Sequence, residues 1–130
     1  MKFLCLICAD THMERMSDAD ARRHFAEYTA FTDAIRKSGH YVGCNRLLPP
    51  STAVTVRVRN GNVSTTDGPF AETKEQLGGY YVIEARDRDE AIRIASRIPG
   101  GWMGCVEVRP IAEDAQTLES LGFAAENAGR

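Results

Sequence analysis

Twice along this chain a short apolar run gives way to a polar break and then to a stretch with helical periodicity. Residues 2–8 form the first run, continuous enough to suit a strand buried on both faces. Ser17 and Asp20 then stand at the spacing of a capping box. From there Ala21, Phe25, Tyr28, Thr32 and Ile35 recur along one face of an amphipathic helix, and Gly39 sits where such a helix stops. The second unit repeats the plan. Tyr80–Ala85 reads as a strand. Asp87 followed by Glu90 opens a helix with Ala91, Ile92, Ala95 and Ile98 on its inner face, and Pro99-Gly100-Gly101 ends it. Cys105–Arg109 is a last strand, stopped by Pro110.

Between the units lie a strand over residues 40–48 and then a hairpin. Val54, Val56 and Val58 alternate with Thr55, Arg57 and Arg59, which predicts a half-buried strand. Asn60-Gly61 is a type I′ turn signal, and the return strand runs over about Asn62–Thr66. Strand, helix, strand, hairpin, strand, helix, strand is an α+β order. It is the ferredoxin-like split β-α-β plan with an added hairpin and antiparallel pairing. Both helices of that plan cover one sheet face. No third long helix is available for the other face, so a second copy of the sheet is the expected cover and the chain is expected to be a homodimer. The domain is expected over residues 1–112. Residues 113–130, with only Leu118, Leu121 and Phe123 as large apolar residues, are expected to give a short helix or a disordered tail.

Composition narrows the function classes. The chain has 130 residues, 43% hydrophobic and 26% charged, which suits one globular domain. Sixteen basic residues are spread among 18 acidic ones for a net charge of −2, so the basic stripe of a nucleic-acid binder is missing. No apolar run approaches the ~20 residues of a membrane span. The apolar start is too short for a signal-peptide core with its flanks, and the expected location is the cytoplasm. Four cysteines then sit as free thiols. Cys5 and Cys8 are three apart in a strand and point to opposite faces, so they cannot share an ion. Neither Cys44 nor Cys105 has a close Cys or His companion that completes a zinc pattern. No dinucleotide, Walker or metal-ligand motif is present, and no cofactor or metal is implied.

The densest polar stretch runs from Thr66 through Asp67-Gly68-Pro69-Phe70-Ala71-Glu72-Thr73-Lys74-Glu75-Gln76-Leu77-Gly78-Gly79 to Tyr80. Gly68 and Pro69 enforce a turn, and the Asp67 carboxylate is placed to bond backbone N–H groups beyond it. Asp67-Gly68-Pro69-Phe70, continued by Glu72-Thr73-Lys74-Glu75 and Gly78-Gly79-Tyr80, resembles the signature of the DGPF branch of the YCII-related proteins. Met1-Lys2-Phe3-Leu4, Val56-Arg57, Asp89-Glu90-Ala91 and Val106-Glu107-Val108-Arg109-Pro110 fit the same family, so the resemblance covers about residues 1–111. It implies a dimeric α/β barrel of ferredoxin-like chains. It implies little about activity. More distant members include an enzyme that eliminates chloride from a chlorinated ring compound, and muconolactone isomerase shares the architecture. Members of the branch often occur beside sigma factors of the extracytoplasmic-function type.

In YCII relatives an Asp at the end of the first strand and a His on the first helix form a proposed acid–base pair. Asp10 matches the Asp, whereas Tyr28 stands at the His position. A phenol titrates near 10 and is a poor base, but it donates a proton or a hydrogen bond. His24, one turn earlier on the same face, is a substitute, and His12 lies close to Asp10 in sequence. Each residue also has a structural role to fill: Asp10 as a strand end, Tyr28 as a core aromatic, His24 as helix surface, Arg57 as a solvated strand face. Trp102, in a Gly-rich loop, covers either a cleft or a dimer edge. The expectation is a small-molecule-binding dimer with lyase or isomerase chemistry. Asp10, Tyr28 and His24 are the catalytic candidates, and Asp67, Arg57, Phe70 and Tyr80 the binding ones. The alternative is a non-enzymatic sensor or partner of a sigma factor.

Overall fold

The structure, a computed structural model, describes residues 1–10, 16–71 and 73–122. Its centre is a four-stranded antiparallel sheet of β1 (Lys2–Ala9), β2 (Tyr41–Arg46), β5 (Gln76–Glu84) and β6 (Gly104–Pro110), in the order β2-β5-β1-β6. This is the ferredoxin-like arrangement that the order of periodicities predicts. The helices α1 (Asp18–Lys37) and α2 (Arg88–Ala95) are the crossover elements. Alternation along β1 sends Phe3, Cys5 and Ile7 into the core, and β5 sends Tyr81 and Ile83 to meet them. From the helix layer come Phe31, Ile35, Ala91, Ile94 and Ala95, with Ile98 just beyond α2. Register shifts by one residue between Ile7 and Cys8, leaving Gly78 of β5 as the extra residue of a β-bulge. That bulge lies at the end of the sheet where the candidate site forms.

Both helices begin as the sequence predicts. The Asp20 N–H donates to Ser17 Oγ at 3.2 Å, and the Glu90 N–H to Asp87 Oδ1 at 2.8 Å. At the C-terminus of α1 the His40 N–H donates to the Ile35 carbonyl and the Gly39 N–H to that of Arg36, a Schellman closure. The buried faces differ from the expected ones by one step. Phe25 is 66% exposed while Phe31 and Ile35 are buried. The inward line of α1 is His24, Tyr28, Phe31 and Ile35, and Phe25 is rotated about 100° from His24. In α2 the line is Ala91, Ile94 and Ala95, which turns Ile92 outward.

The hairpin departs further from expectation. β3 (Val54–Arg59) and β4 (Asn62–Asp67) form their own two-stranded sheet rather than joining the main one. Asn60 and Gly61 carry the two positive φ angles of the type I′ turn, 54° and 77°. Because the ribbon packs on no sheet of this chain, the valine face predicted to be half-buried is exposed: Val54, Val56, Val58 and Val63 are 57%, 60%, 54% and 67% accessible. At its base the Gly68 N–H donates to the Ala53 carbonyl at 2.7 Å and Thr55 Oγ1 to the Gly68 carbonyl at 2.8 Å, with Gly68 at φ 103°. The turn is thus held by the backbone of Ala53 and Gly68 and by the Thr55 hydroxyl. A short helix, α3 (Ala115–Ser120), is capped by Asp114 and buries Leu118. Phe123 and the rest of the tail, like His12, lie outside the described residues. Among the described residues no helix is long and apolar enough to cross a membrane.

Candidate functional site

His24 and Tyr28 stand one turn apart on the inward line of α1, and their rings meet edge to face with centroids 4.9 Å apart. Tyr28 lies parallel to Tyr81 of β5, 6.4 Å between centroids and 3° between planes. Phe31 meets Tyr81 edge-on at 5.2 Å. Thr32 Oγ1 donates to the Tyr28 carbonyl at 2.8 Å and lies 2.7 Å from Tyr81 Oη, so the phenol of Tyr81 donates to Thr32. An aromatic column therefore runs from the core out to His24. It fixes the positions of both candidate side chains.

Tyr28 Oη is lodged against the 3₁₀ turn Pro99–Trp102, where the Gly100 amide faces it. A Cβ at position 100 would collide with Tyr28 Oη and with Ile7 Cγ2, so this close approach requires glycine. Burial pushes the Tyr28 phenol up to about 12, outweighing the hydrogen bond from Gly100 that lowers it. The group stays a neutral O–H donor near neutrality.

His24 is the more unusual residue. Its side chain is 12% exposed, and Nε2 has no hydrogen-bond partner among the described residues. Most buried polar side-chain atoms are partnered, so an orphan nitrogen asks for an explanation. Nδ1 lies 4.0 Å from Glu27 Oε2. Burial lowers the imidazole pKa and the Glu27 carboxylate only partly offsets that, so the ring is neutral near neutrality. His24 lines a cleft of about 400 Å³ between the start of α1, with Met16, Asp20 and Arg23, and a wall of Pro99, Trp102 and Met103. Trp102, 77% exposed, separates it from a second cleft of about 440 Å³ along α2, lined by Ile92, Ala95 and Val106.

The other candidates are distributed over the molecule. Asp10 leaves β1 just after Ala9, at the end of the sheet where Ile7 approaches Gly100 and Tyr28. Arg57 and Asp67 belong to the hairpin ribbon. Asp67 pairs with Val54 on the valine face, while Arg57 pairs with Ser64 on the other, so alternation sends the two side chains apart. Phe70 follows the Gly68-Pro69 turn and is 82% exposed. Tyr80 lies on the sheet face away from the helices, where Asn45 Nδ2 donates to its Oη at 2.8 Å. The structure thus brings His24 and Tyr28 together with Asp10 at the same end of the sheet. Of the seven candidates only His24 lines the cleft itself; Asp10, Tyr28, Arg57, Asp67, Phe70 and Tyr80 are not among the described residues lining it. Sequence reading missed Gly100 and Met103, because the Gly-rich turn after α2 signals only a helix stop. Among the described residues no three His, Cys, Asp or Glu side chains are placed to hold one metal ion.

A four-stranded antiparallel sheet in this order, with both crossover helices on one face, defines a ferredoxin-like α+β domain. The chain belongs to the YCII-related family, whose domain model matches residues 1–114. It is also similar to an uncharacterized protein of Rhizobium meliloti (strain 1021), 45% identical over 69 residues, which are 52% of this chain and 56% of that protein. The match therefore spans a little over half the length of that relative.

Proposed function

We propose that this chain binds a small organic acid or lactone and moves a proton on it, in an isomerisation or elimination. The observation that carries this reading is the buried His24 imidazole, unpartnered at Nε2 among the described residues and set against Tyr28 beside a ligand-sized cleft. Two neighbouring groups with divergent acidities are the usual basis for acid and base roles. The neutral imidazole accepts the proton, and the Tyr28 O–H hydrogen-bonds the oxygen on which charge develops. Asp10, at the end of β1, is the second base candidate. No cofactor is needed for this chemistry. The test is a thermal-shift screen of the purified protein against small lactones, enols and aromatic acids. A ligand at one hundred times its Kd adds about 2.7 kcal/mol, enough to raise Tm by several degrees in a domain of this size. The expected hit weakens in His24→Asn, Tyr28→Phe or Asp10→Asn. A ligand that all three variants bind as well as the parent removes the site.

The same reading includes a homodimer. Leu4, Leu6, Tyr80 and Val82 face away from the helices and are half-buried, and the valines of the separate ribbon are exposed. Exposed apolar side chains grouped on one face, as the ribbon valines are, mark an interface. A two-fold partner presenting the same face covers it most simply.

A further inference from the structure

We propose that Cys8 and Cys105 form a redox-active dithiol that closes to a cross-strand disulfide by exchange with a small-molecule disulfide. The two residues are direct partners in the β1–β6 ladder. Alternation places Cys8 with Leu4 and Leu6, and Cys105 with Glu107 and Arg109, on the sheet face away from the helices. Directly opposed residues on one face of an antiparallel pair bring their side chains next to each other. Opposed residues in an antiparallel pair have Cα atoms about 4.5 or 5.5 Å apart, and both values fall in the ~4.4–6.8 Å that a disulfide spans. The strands approach closely here, since a Cβ at the neighbouring Gly104 would collide with the Cys8 carbonyl. The other cysteines are placed elsewhere. Cys5 is fully buried on the helix side, and Cys44 lies 3.5 Å from Tyr41 Oη.

The pair sits one step from the end of the ladder, which closes with Ala9 and Gly104, and β6 is an edge strand. In the single protomer Cys105 is exposed and Cys8 half-buried, so Cys105 is the first to meet a reagent before a second copy covers this face. Its thiolate attacks one sulfur of the small disulfide. The S–S bond breaks, and one small thiolate leaves and takes up the proton that Cys105 lost. The Cys8 sulfur then attacks the Cys105 sulfur and displaces the second small thiolate, which takes the Cys8 proton. Two protein thiols are oxidised and one small disulfide is reduced to two thiols. A hydrogen bond to the Glu75 carboxylate holds the Cys105 thiol above its ordinary range, and burial followed by the Glu107 charge does so for Cys8. Both therefore stay largely protonated near neutrality, which slows exchange and makes the pair resistant to casual oxidation. Because Gly104 follows directly on the Trp102–Met103 wall of the cleft, closure ties that wall to β1.

The full chain is incubated with oxidised glutathione at fixed ratios to reduced glutathione, quenched with acid, and digested without reduction for mass spectrometry. The expected product is monomeric at the covalent level, lighter by two hydrogens, with the peptides of Cys8 and Cys105 joined. Cys105→Ser abolishes this link while Cys44→Ser retains it, and Glu75→Gln speeds its formation several-fold by raising the thiolate fraction. Three results overturn the proposal: a stable mixed disulfide on Cys105 with no internal link, a link that joins Cys105 between two chains, or two thiols that survive the most oxidising ratio.

Discussion

At the scale of single residues, the site depends on an absence of atoms as much as on its functional groups. Gly100 leaves room for Tyr28 Oη and Ile7. Gly100→Ala is expected to cost roughly 1–3 kcal/mol by overpacking, read as a lower midpoint in urea unfolding. Tyr28→Phe should recover part of that loss, because it removes the oxygen the new methyl strikes, so the two changes will not add. His24 makes a prediction in pH. Its folded pKa lies below the ordinary 6.5, so as pH falls through that value the unfolded chain takes up a proton that the folded chain resists. Stability is therefore unaffected above about 6.5 and declines with acidification until the folded pKa is reached. An NMR titration of the imidazole should show the lowered midpoint, and His24→Asn should flatten that part of the stability profile. The pairing of His24 with Tyr28 was legible from their spacing of one helical turn. Their partnership with Gly100 was not, because 70 residues of chain lie between Tyr28 and that turn.

Among the elements, the helix ends followed their local signals closely. Ser17, Gly39 and Asp87 act within one or two turns, where hydrogen-bond geometry depends only on neighbours in sequence. Asp87→Ala should destabilise the protein by about 1 kcal/mol, measured by chemical denaturation. Glu90 shows what local signals leave out. Its carboxylate accepts from the Arg86 N–H at 3.0 Å, pairs with the Arg86 side chain at 2.9 Å, and meets His40 Nε2 at 3.2 Å. Thus it joins the start of α2 to the loop leaving α1. The Arg86 N–H above all, with the Arg86 charge and the hydrogen bond to His40, holds the carboxyl below its ordinary range. The stabilisation it brings is complete above the ordinary carboxylate pKa and is lost as pH falls through the folded value. Glu90→Gln should therefore flatten the acid limb of the stability curve. The inward faces of α1 and α2 were read one step off, at Phe25 and Ile92. Neither residue breaks the periodicity, and only the sheet beneath the helix selects the buried line.

Across the whole molecule, the helix-free sheet face and the valine ribbon pose one question. The ribbon valines are exposed and lie outside the core cluster, so a change among them tests association without disturbing the core. Val56→Glu should leave the protomer folded, as judged by circular dichroism, and shift it from dimer to monomer in sedimentation velocity. A dimer that survives this change assembles through another face.

The order of strands and helices, the caps and the hairpin turn were determined by the sequence alone, because each is a local preference repeated in a recognisable period. Their assembly into a β2-β5-β1-β6 sheet followed from the few ways such units connect. Three things were decided only by the tertiary structure. The hairpin stands off as a separate ribbon, Gly100 closes against Tyr28, and Cys105 lies opposite Cys8 across the sheet. Each is a contact between segments far apart in the chain. No periodicity encodes such contacts, since they depend on where the packed core brings the backbone together.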